Sequence, residues 1–141
     1  MPGPLLRLWG WWRRLFRADP RTANQRTGAR AESLAADYLR AKGFDVLERN
    51  LRVGRDEADL ICRAPGGTFF VLVEVKAKTP TRGRGSAIPA DARIDRRKRN
   101  ALRRLRAYLM RSRGWPAVRV DVVTVEFTDP PTIRHFAGQG L

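Results

Sequence analysis

The feature that most constrains the fold is the run Phe-Phe-Val-Leu-Val-Glu-Val-Lys at residues 69–76. β-Branched and aromatic residues are typical of strands, and the side chains of a strand alternate between the two faces of a sheet. Glu74 and Lys76 therefore lie on one face, and Val73 and Val75 lie on the other. The run predicts a buried strand that ends in a carboxylate and an amine on the same side.

A second short strand is predicted at residues 57–61, Glu-Ala-Asp-Leu-Ile. The segment 63–67, Arg-Ala-Pro-Gly-Gly, is a turn signal between the two strands and predicts an antiparallel hairpin. Such a hairpin would bring Asp59, Glu74 and Lys76 together on one side of the sheet. Two carboxylates and an amine are the groups that a divalent cation and a water nucleophile need to cut a phosphodiester.

The charge balance indicates a polyanionic partner. The chain has 141 residues, a length typical of one domain, and its 29 Lys and Arg residues against 14 Asp and Glu give a net charge of +15. Nucleic acid is the first candidate partner, an anionic membrane surface is the second, and a merely soluble basic protein is the alternative.

The sequence has too few cysteines and histidines for several other classes of site. One cysteine, Cys62, and one histidine, His135, do not provide for an internal disulfide, a thiolate zinc site or Ser-His-Asp catalysis. The alternation of the second strand places Cys62 with Leu60, opposite Asp59, as a small buried residue. Without an apolar run near the ~18 residues of a membrane span, we expect a reducing, cytoplasmic setting.

The N-terminal residues 1–26 are predicted to be a basic, Trp-rich leader and linker, followed by a single domain at 27–141. Arginines are scattered through the apolar part of residues 1–19, which argues against a signal peptide. Two interpretations stay open for residues 1–19. They are either an amphipathic helix that docks on the protein or makes a weak contact with a membrane surface, or a poorly ordered leader.

The remaining pattern predicts an α/β fold. A helix over residues 28–42, capped by Gly43, is followed by a strand over 44–52, the two strands described above, a helix over 93–113 and a strand over 118–127. Residues 132–136 are predicted to add a short edge strand. The order α-β-β-β-α-β predicts a mixed sheet flanked by helices.

The second long helix has ten basic residues and only Asp95 as an acidic one. Ion pairs within the helix do not explain this composition, so phosphate contact is preferred to a merely solvated face. The loop 77–89, which is basic and rich in Pro and Gly, either closes over a phosphate backbone or is a disordered connector. The candidate nucleic-acid-binding residues are Arg82, Arg84, Arg96, Arg97, Lys98, Arg103 and Arg104.

With this element order, the chain resembles the restriction-endonuclease-like (PD-(D/E)xK) nuclease superfamily and, more closely, the bacterial YraN family of predicted endonuclease-like proteins. The matching residues are Gly28, Glu32, Ala35, Tyr38, Leu39, Gly43, Phe44, Arg49 to Arg52, Glu57 to Ile61, Glu74 to Lys76, Lys98 and Asp121 to Val123. The resemblance extends from Gly28 to about Val125. Two positions depart from the family pattern: Asp56 replaces a usual Gly, and Ala58 replaces a branched aliphatic residue.

The resemblance implies an endonuclease that cuts DNA with Mg²⁺ or Mn²⁺. By analogy, Asp59, Glu74 and the Val75 carbonyl would ligate the metal. Lys76 would orient or help deprotonate the attacking water and stabilise charge on the phosphate. Glu32 is expected either as a further acidic group at the site or as a partner of the helix dipole.

Three other interpretations stay open. In the first, the protein keeps the fold as a nucleic-acid-binding module that does not cut. In the second, it acts at a membrane surface through residues 1–19. In the third, which concerns single residues, Asp59 and Lys76 form only a cross-strand ion pair.

Overall fold

The structure is a computed structural model of the chain and describes residues 22–78 and 90–141. The elements are helix α1 (Ala23–Ala41), strands β1 (Asp45–Val53), β2 (Asp56–Arg63) and β3 (Phe70–Lys78), a 3₁₀ turn (Ala90–Ala92), helix α2 (Arg96–Ser112), and strands β4 (Val118–Glu126) and β5 (Thr132–Phe136). The predicted α/β class is confirmed. The predicted leader, as well as Arg82 and Arg84 in the loop after β3, lie outside the described residues.

Within the described residues, five strands form one mixed sheet in the order β1-β2-β3-β4-β5. β3 and β4 are parallel, and the other neighbouring pairs are antiparallel. The predicted hairpin of β2 and β3 and the predicted edge strand β5 are both confirmed. Because β3 and β4 run in the same direction, the chain must cross between them, and α2 lies in that connection.

The ends of the helices are set by side chains that cap them. Helix α1 begins at Ala23 instead of Gly28, because the Thr22 hydroxyl accepts from the Gln25 N–H while the Gln25 side chain accepts from the Thr22 N–H. Helix α2 begins at Arg96 because the Asp95 side chain caps it. These caps replace the predicted starting points, where apolar spacing alone set the boundary.

The sheet is covered on both faces. Helix α1 packs on one face over a cluster that includes Leu39, Leu60, Cys62, Val73 and Val123. Helix α2 packs on the other face over a cluster that includes Ala58, Leu72, Leu102, Leu105 and Val122. The predicted position of Val73 and Val75 on one face of the sheet and the burial of Cys62 are confirmed.

The central strands also bury charged residues. Glu74 and Lys78 are buried on β3, and Asp121 and Glu126 are buried on β4. No helix of the described ranges is long and apolar enough to cross a membrane.

Candidate functional site

The candidate site lies where strands β2 and β3 separate. Their ladder pairs Leu60–Arg63 with Phe70–Val73, so the next position would place Asp59 opposite Glu74. The backbone pairing stops before that position. Asp59 Oδ2 accepts a hydrogen bond of 2.7 Å from the N–H of Val75, the residue after Glu74. A side-chain carboxylate therefore continues the strand pairing where the backbone ladder ends.

Glu74 lies between two ammonium groups. Its Oε1 is 3.2 Å from Lys76 Nζ, and its Oε2 is 2.9 Å from Lys98 Nζ. The Glu74 side chain is only 7% exposed, whereas the side chains of Lys76 and Lys98 are 30% and 23% exposed. Lys98 Nζ also donates to the Glu57 carbonyl oxygen at 2.8 Å, which connects helix α2 to the start of β2.

The electrostatics differ between the two sides of the site. Burial and the negative charge of Glu74 raise the pKa of Asp59 to about 7, and the charge of Glu32 adds a weaker effect in the same direction. The Val75 N–H and Lys98 oppose this rise. Asp59 is therefore partly protonated near neutral pH.

Lys98 responds in the opposite sense. Burial alone would lower its pKa, but the charge and hydrogen bond of Glu74 raise it above the ordinary value. The ammonium of Lys98 therefore stays charged beside Glu74. The site has two carboxylates of unequal character, one paired with cations and one held close to its titration point.

The fold brings together most of the residues that the sequence singled out. Asp59, Glu74, Val75 and Lys76 meet at the separation of β2 and β3. Glu32, half-buried on α1, is near enough for its charge to act on Asp59. The catalytic and metal-binding roles of these residues stay predictions.

Comparison with known proteins places the chain in a family. The profile of the uncharacterised protein family UPF0102 matches residues 31–125. The chain belongs to the UPF0102 family. This is the YraN family that the residues resemble, and it is restriction-endonuclease-like.

Relatives in distant bacteria support this assignment. A UPF0102 protein of Thermotoga neapolitana is 41% identical over 112 residues, which cover 79% of this chain and 94% of the relative. A UPF0102 protein of Sorangium cellulosum is 40% identical over 115 residues, which cover 78% of this chain and 74% of the relative. One from Mycolicibacterium vanbaalenii is 41% identical over 115 residues, which cover 79% and 90%.

The donor set of this UPF0102 protein suits a hard cation with few protein ligands. Among the described residues, no group of three His, Cys, Asp or Glu side chains could hold a metal ion. Asp59 and Glu74 supply two carboxylates, and Mg²⁺ commonly uses one or two carboxylates while keeping several waters or binding substrate phosphate. A cation beside both groups would also favour the ionised form of Asp59, whose pKa the fold raises to about 7. The residues fit such an ion and do not fit a closed zinc site.

The basic residues predicted for nucleic-acid binding fall into two groups. Arg96, Arg97 and Arg103 are exposed and make no ion pair with any other described residue. Arg104 donates two hydrogen bonds to Asp56, at 2.8 and 2.7 Å, and these bonds chiefly hold the pKa of that carboxyl below its ordinary value. Its charge is therefore already compensated, as is that of Lys98.

A second polar cluster in this UPF0102 protein has no predicted role. Asp121 is fully buried on β4 and accepts two hydrogen bonds from Arg119, at 2.7 and 2.8 Å. It also lies 2.7 Å from His135 Nε2 and accepts from the Gly138 N–H at 2.9 Å. Burial would raise the pKa of Asp121, but together these partners lower it below the ordinary value. The signal for this cluster is an aspartate inside a run of valines on a buried strand.

Proposed function

We propose that this protein is a Mg²⁺- or Mn²⁺-dependent endonuclease that hydrolyses phosphodiester bonds of DNA. The observation that carries the proposal is the meeting of Asp59 with Glu74 and Lys76 at the separation of β2 and β3, with the Val75 N–H fixing Asp59 at 2.7 Å. We also propose a cytoplasmic location, since the buried Cys62 is a free thiol.

The carboxylates of Asp59 and Glu74 and the carbonyl of Val75 would hold the cation. When bound, such a cation makes a bound water more acidic and stabilises negative charge on the phosphate. Lys76, whose ammonium lies 3.2 Å from Glu74, would hold the attacking water and place positive charge near the phosphate. The attacking water would lose a proton as its oxygen bonds to phosphorus, one P–O bond to a sugar would break, and the leaving oxygen would take up a proton.

The charge distribution supports a nucleic-acid substrate. The net charge is +15, and three exposed arginines of α2, Arg96, Arg97 and Arg103, make no ion pair with another described residue. A polyanion would compensate these charges, and the counterions that it releases would contribute to its affinity. Helix α2 also contributes Lys98 to the site, so a strand lying along the helix would pass close to Glu74.

The experiment is a panel of single-stranded, duplex, branched and flapped DNA and matched RNA, with Mg²⁺, Mn²⁺ or EDTA. We expect cleavage of at least one DNA form with a divalent cation, and none in EDTA. Lys76→Ala should reduce cleavage by about 10²-fold or more, on the scale of losing one positioned electrostatic group, while circular dichroism stays unchanged. An absence of cleavage across the panel, or equal cleavage by Lys76→Ala, would contradict the proposal.

A second candidate is a nucleic-acid-binding module that does not cut. The observation that favours it is the position of Glu74 between Lys76 and Lys98, which neutralises the carboxylate without a metal. This alternative expects DNA binding that is equal in EDTA and Mg²⁺, together with no cleavage. The same panel, read by binding as well as by products, separates the two functions.

A further inference from the structure

A cleft with a volume of about 720 Å³ lies beside the site, between the β1–β2 turn and the first turns of α2. This volume lies within the range of pockets that bind small ligands. Five cations and three carboxylates line it, together with Asn100 and Ala101. Lys98 is one of the five cations and also contacts Glu74, so one side chain borders both the cleft and the acidic site.

The three carboxylates of the cleft already have partners. Asp56 accepts two hydrogen bonds from Arg104, and Asp95 accepts from the Lys98 N–H at 2.8 Å. Glu57 pairs with Arg52 at 3.1 Å. The charges of Asp56 and Glu57 are therefore paired with arginines, whereas the hydrogen bond to Asp95 leaves its negative charge in place.

Three of the cations have no such compensation. Arg55, Arg96 and Arg97 are exposed, line the cleft, and make no ion pair with another described residue. They come from two separate elements, the β1–β2 turn and the start of α2, and so approach the cleft from both sides. A planar guanidinium donates in a fixed fork that matches the oxygens of a phosphate.

We propose that this cleft binds a phosphate of a nucleic-acid strand, next to the phosphate that would be cut at the cation held by Asp59 and Glu74. The inference rests on the proposed function and adds Arg55 to the nucleic-acid contacts. It also assigns Lys98 and Arg104 to the walls of the cleft, because Glu74 and Asp56 already hold their charges. A strand suits this shape better than a membrane, since a flat lipid surface contacts protruding side chains and not a cleft with two sides.

The test measures binding of the full chain to a fluorescein-labelled single strand of about 12 nucleotides, in EDTA, over a range of salt concentrations. The variants are Arg55→Gln and the double change Arg96→Gln with Arg97→Gln. The matched control is Arg106→Gln with Arg111→Gln, which removes the same charge from the same helix at positions that do not line the cleft. Arg55→Lys, which keeps the charge, is the conservative control.

The affinity falls as salt rises, and we expect each arginine lost from the cleft to make the slope of log affinity against log salt less steep by about 0.7. The control variant should show a smaller change, and Arg55→Lys should keep the slope of the wild type. Equal losses in the cleft and control variants would overturn the inference, even if the wild type cleaves DNA. Cleft-dependent binding without cleavage would support the inference while the proposed hydrolysis fails. If the cleft variants lose binding to phosphatidylglycerol vesicles but keep their affinity for the labelled strand, the inference is overturned in favour of a membrane.

Discussion

Two buried carboxylate clusters lie one position apart in the sheet, and the fold treats them in opposite ways. Asp121 pairs in register with Val73, directly beside Glu74. Its partners Arg119, His135 and the Gly138 N–H hold its pKa below the ordinary value. Among the residues that the structure describes, Asp59 accepts a single hydrogen bond, from the Val75 N–H, and its pKa rises to about 7.

The contrast separates a structural site from a candidate functional one. Side chains and a backbone N–H of the chain itself form hydrogen bonds with the buried carboxylate of Asp121, and such pairing is what a buried charge in a stable fold requires. At Asp59 the chain adds a second carboxylate, Glu74. Lys76 and Lys98 pair with Glu74, whereas no described cation forms an ion pair with Asp59. Perturbed titratable pairs of this kind are concentrated at functional sites.

The largest expected difference between the clusters is in catalysis. Glu74→Gln should lower DNA cleavage by about 10³-fold or more, which corresponds to the loss of about 4 kcal/mol of transition-state stabilisation. Asp121→Asn, assayed at a temperature where it remains folded, should cleave at a rate within a few-fold of the wild type. Steady-state rates measured at saturating Mn²⁺ would make this comparison. A comparable loss in both variants would remove the distinction between the two clusters.

The next largest effect is on the free energy of unfolding, and here the Asp121 cluster should matter more than the Asp59–Glu74 cluster. Asp121→Asn should lower the free energy of unfolding by about 3 kcal/mol at pH 7, because it breaks a fully buried charge network. The pKa of Asp121 is depressed, so its contribution is complete above the ordinary value of 3.8 and is lost as the pH falls through the lower folded value. Urea unfolding at pH 7 and pH 3 measures this. A change below about 0.5 kcal/mol at pH 7 would show that the network is not structural.

Much of the fold could be predicted from local pattern. The strand at residues 69–76, the turn at 63–67 and the short strand at 132–136 are set by neighbouring residues, and the structure confirms all three. The meeting of Asp59 with Glu74 followed from the register of one hairpin. The start of α1 differed because the capping pair Thr22 and Gln25 lies in a segment that is polar enough to read as a linker.

The contacts that local pattern does not predict join residues far apart in the chain. The nucleic-acid contact of Lys98 stays a prediction, and within the protein Lys98 contacts Glu74 and the Glu57 carbonyl. Arg104 pairs with Asp56, and Asp121 meets His135 on the edge strand. These contacts depend on how α2 and β5 dock on the twisted sheet, which the alternation of single strands does not specify.

The smallest expected effect is the pH dependence of stability at Asp59, which should have the opposite sign to that at Asp121. Because the folded pKa of Asp59 is raised from 3.8 to about 7, the folded protein keeps a proton that the unfolded chain has lost between these values. Metal-free stability should therefore fall as the pH rises through this window. In EDTA above pH 7, Asp59→Asn should be more stable than the wild type by about 1–2 kcal/mol. Urea unfolding of both proteins at pH 5 and pH 8 is the measurement, and a less stable variant at pH 8 would point to a purely structural Asp59.

The most direct test of the functional difference is divalent-ion binding, followed through the electron paramagnetic resonance signal of free Mn²⁺ with the full chain at pH 8, with and without DNA. The wild type and Asp121→Asn should take up Mn²⁺ at one saturable site. Asp59→Asn and Glu74→Gln should not, and uptake by the wild type should weaken at pH 6, where Asp59, with its pKa of about 7, holds a proton. If the wild type takes up no Mn²⁺ even with DNA present, or if the Asp59 and Glu74 variants bind it equally well, the two clusters do not differ in function and the metal-dependent nuclease is contradicted.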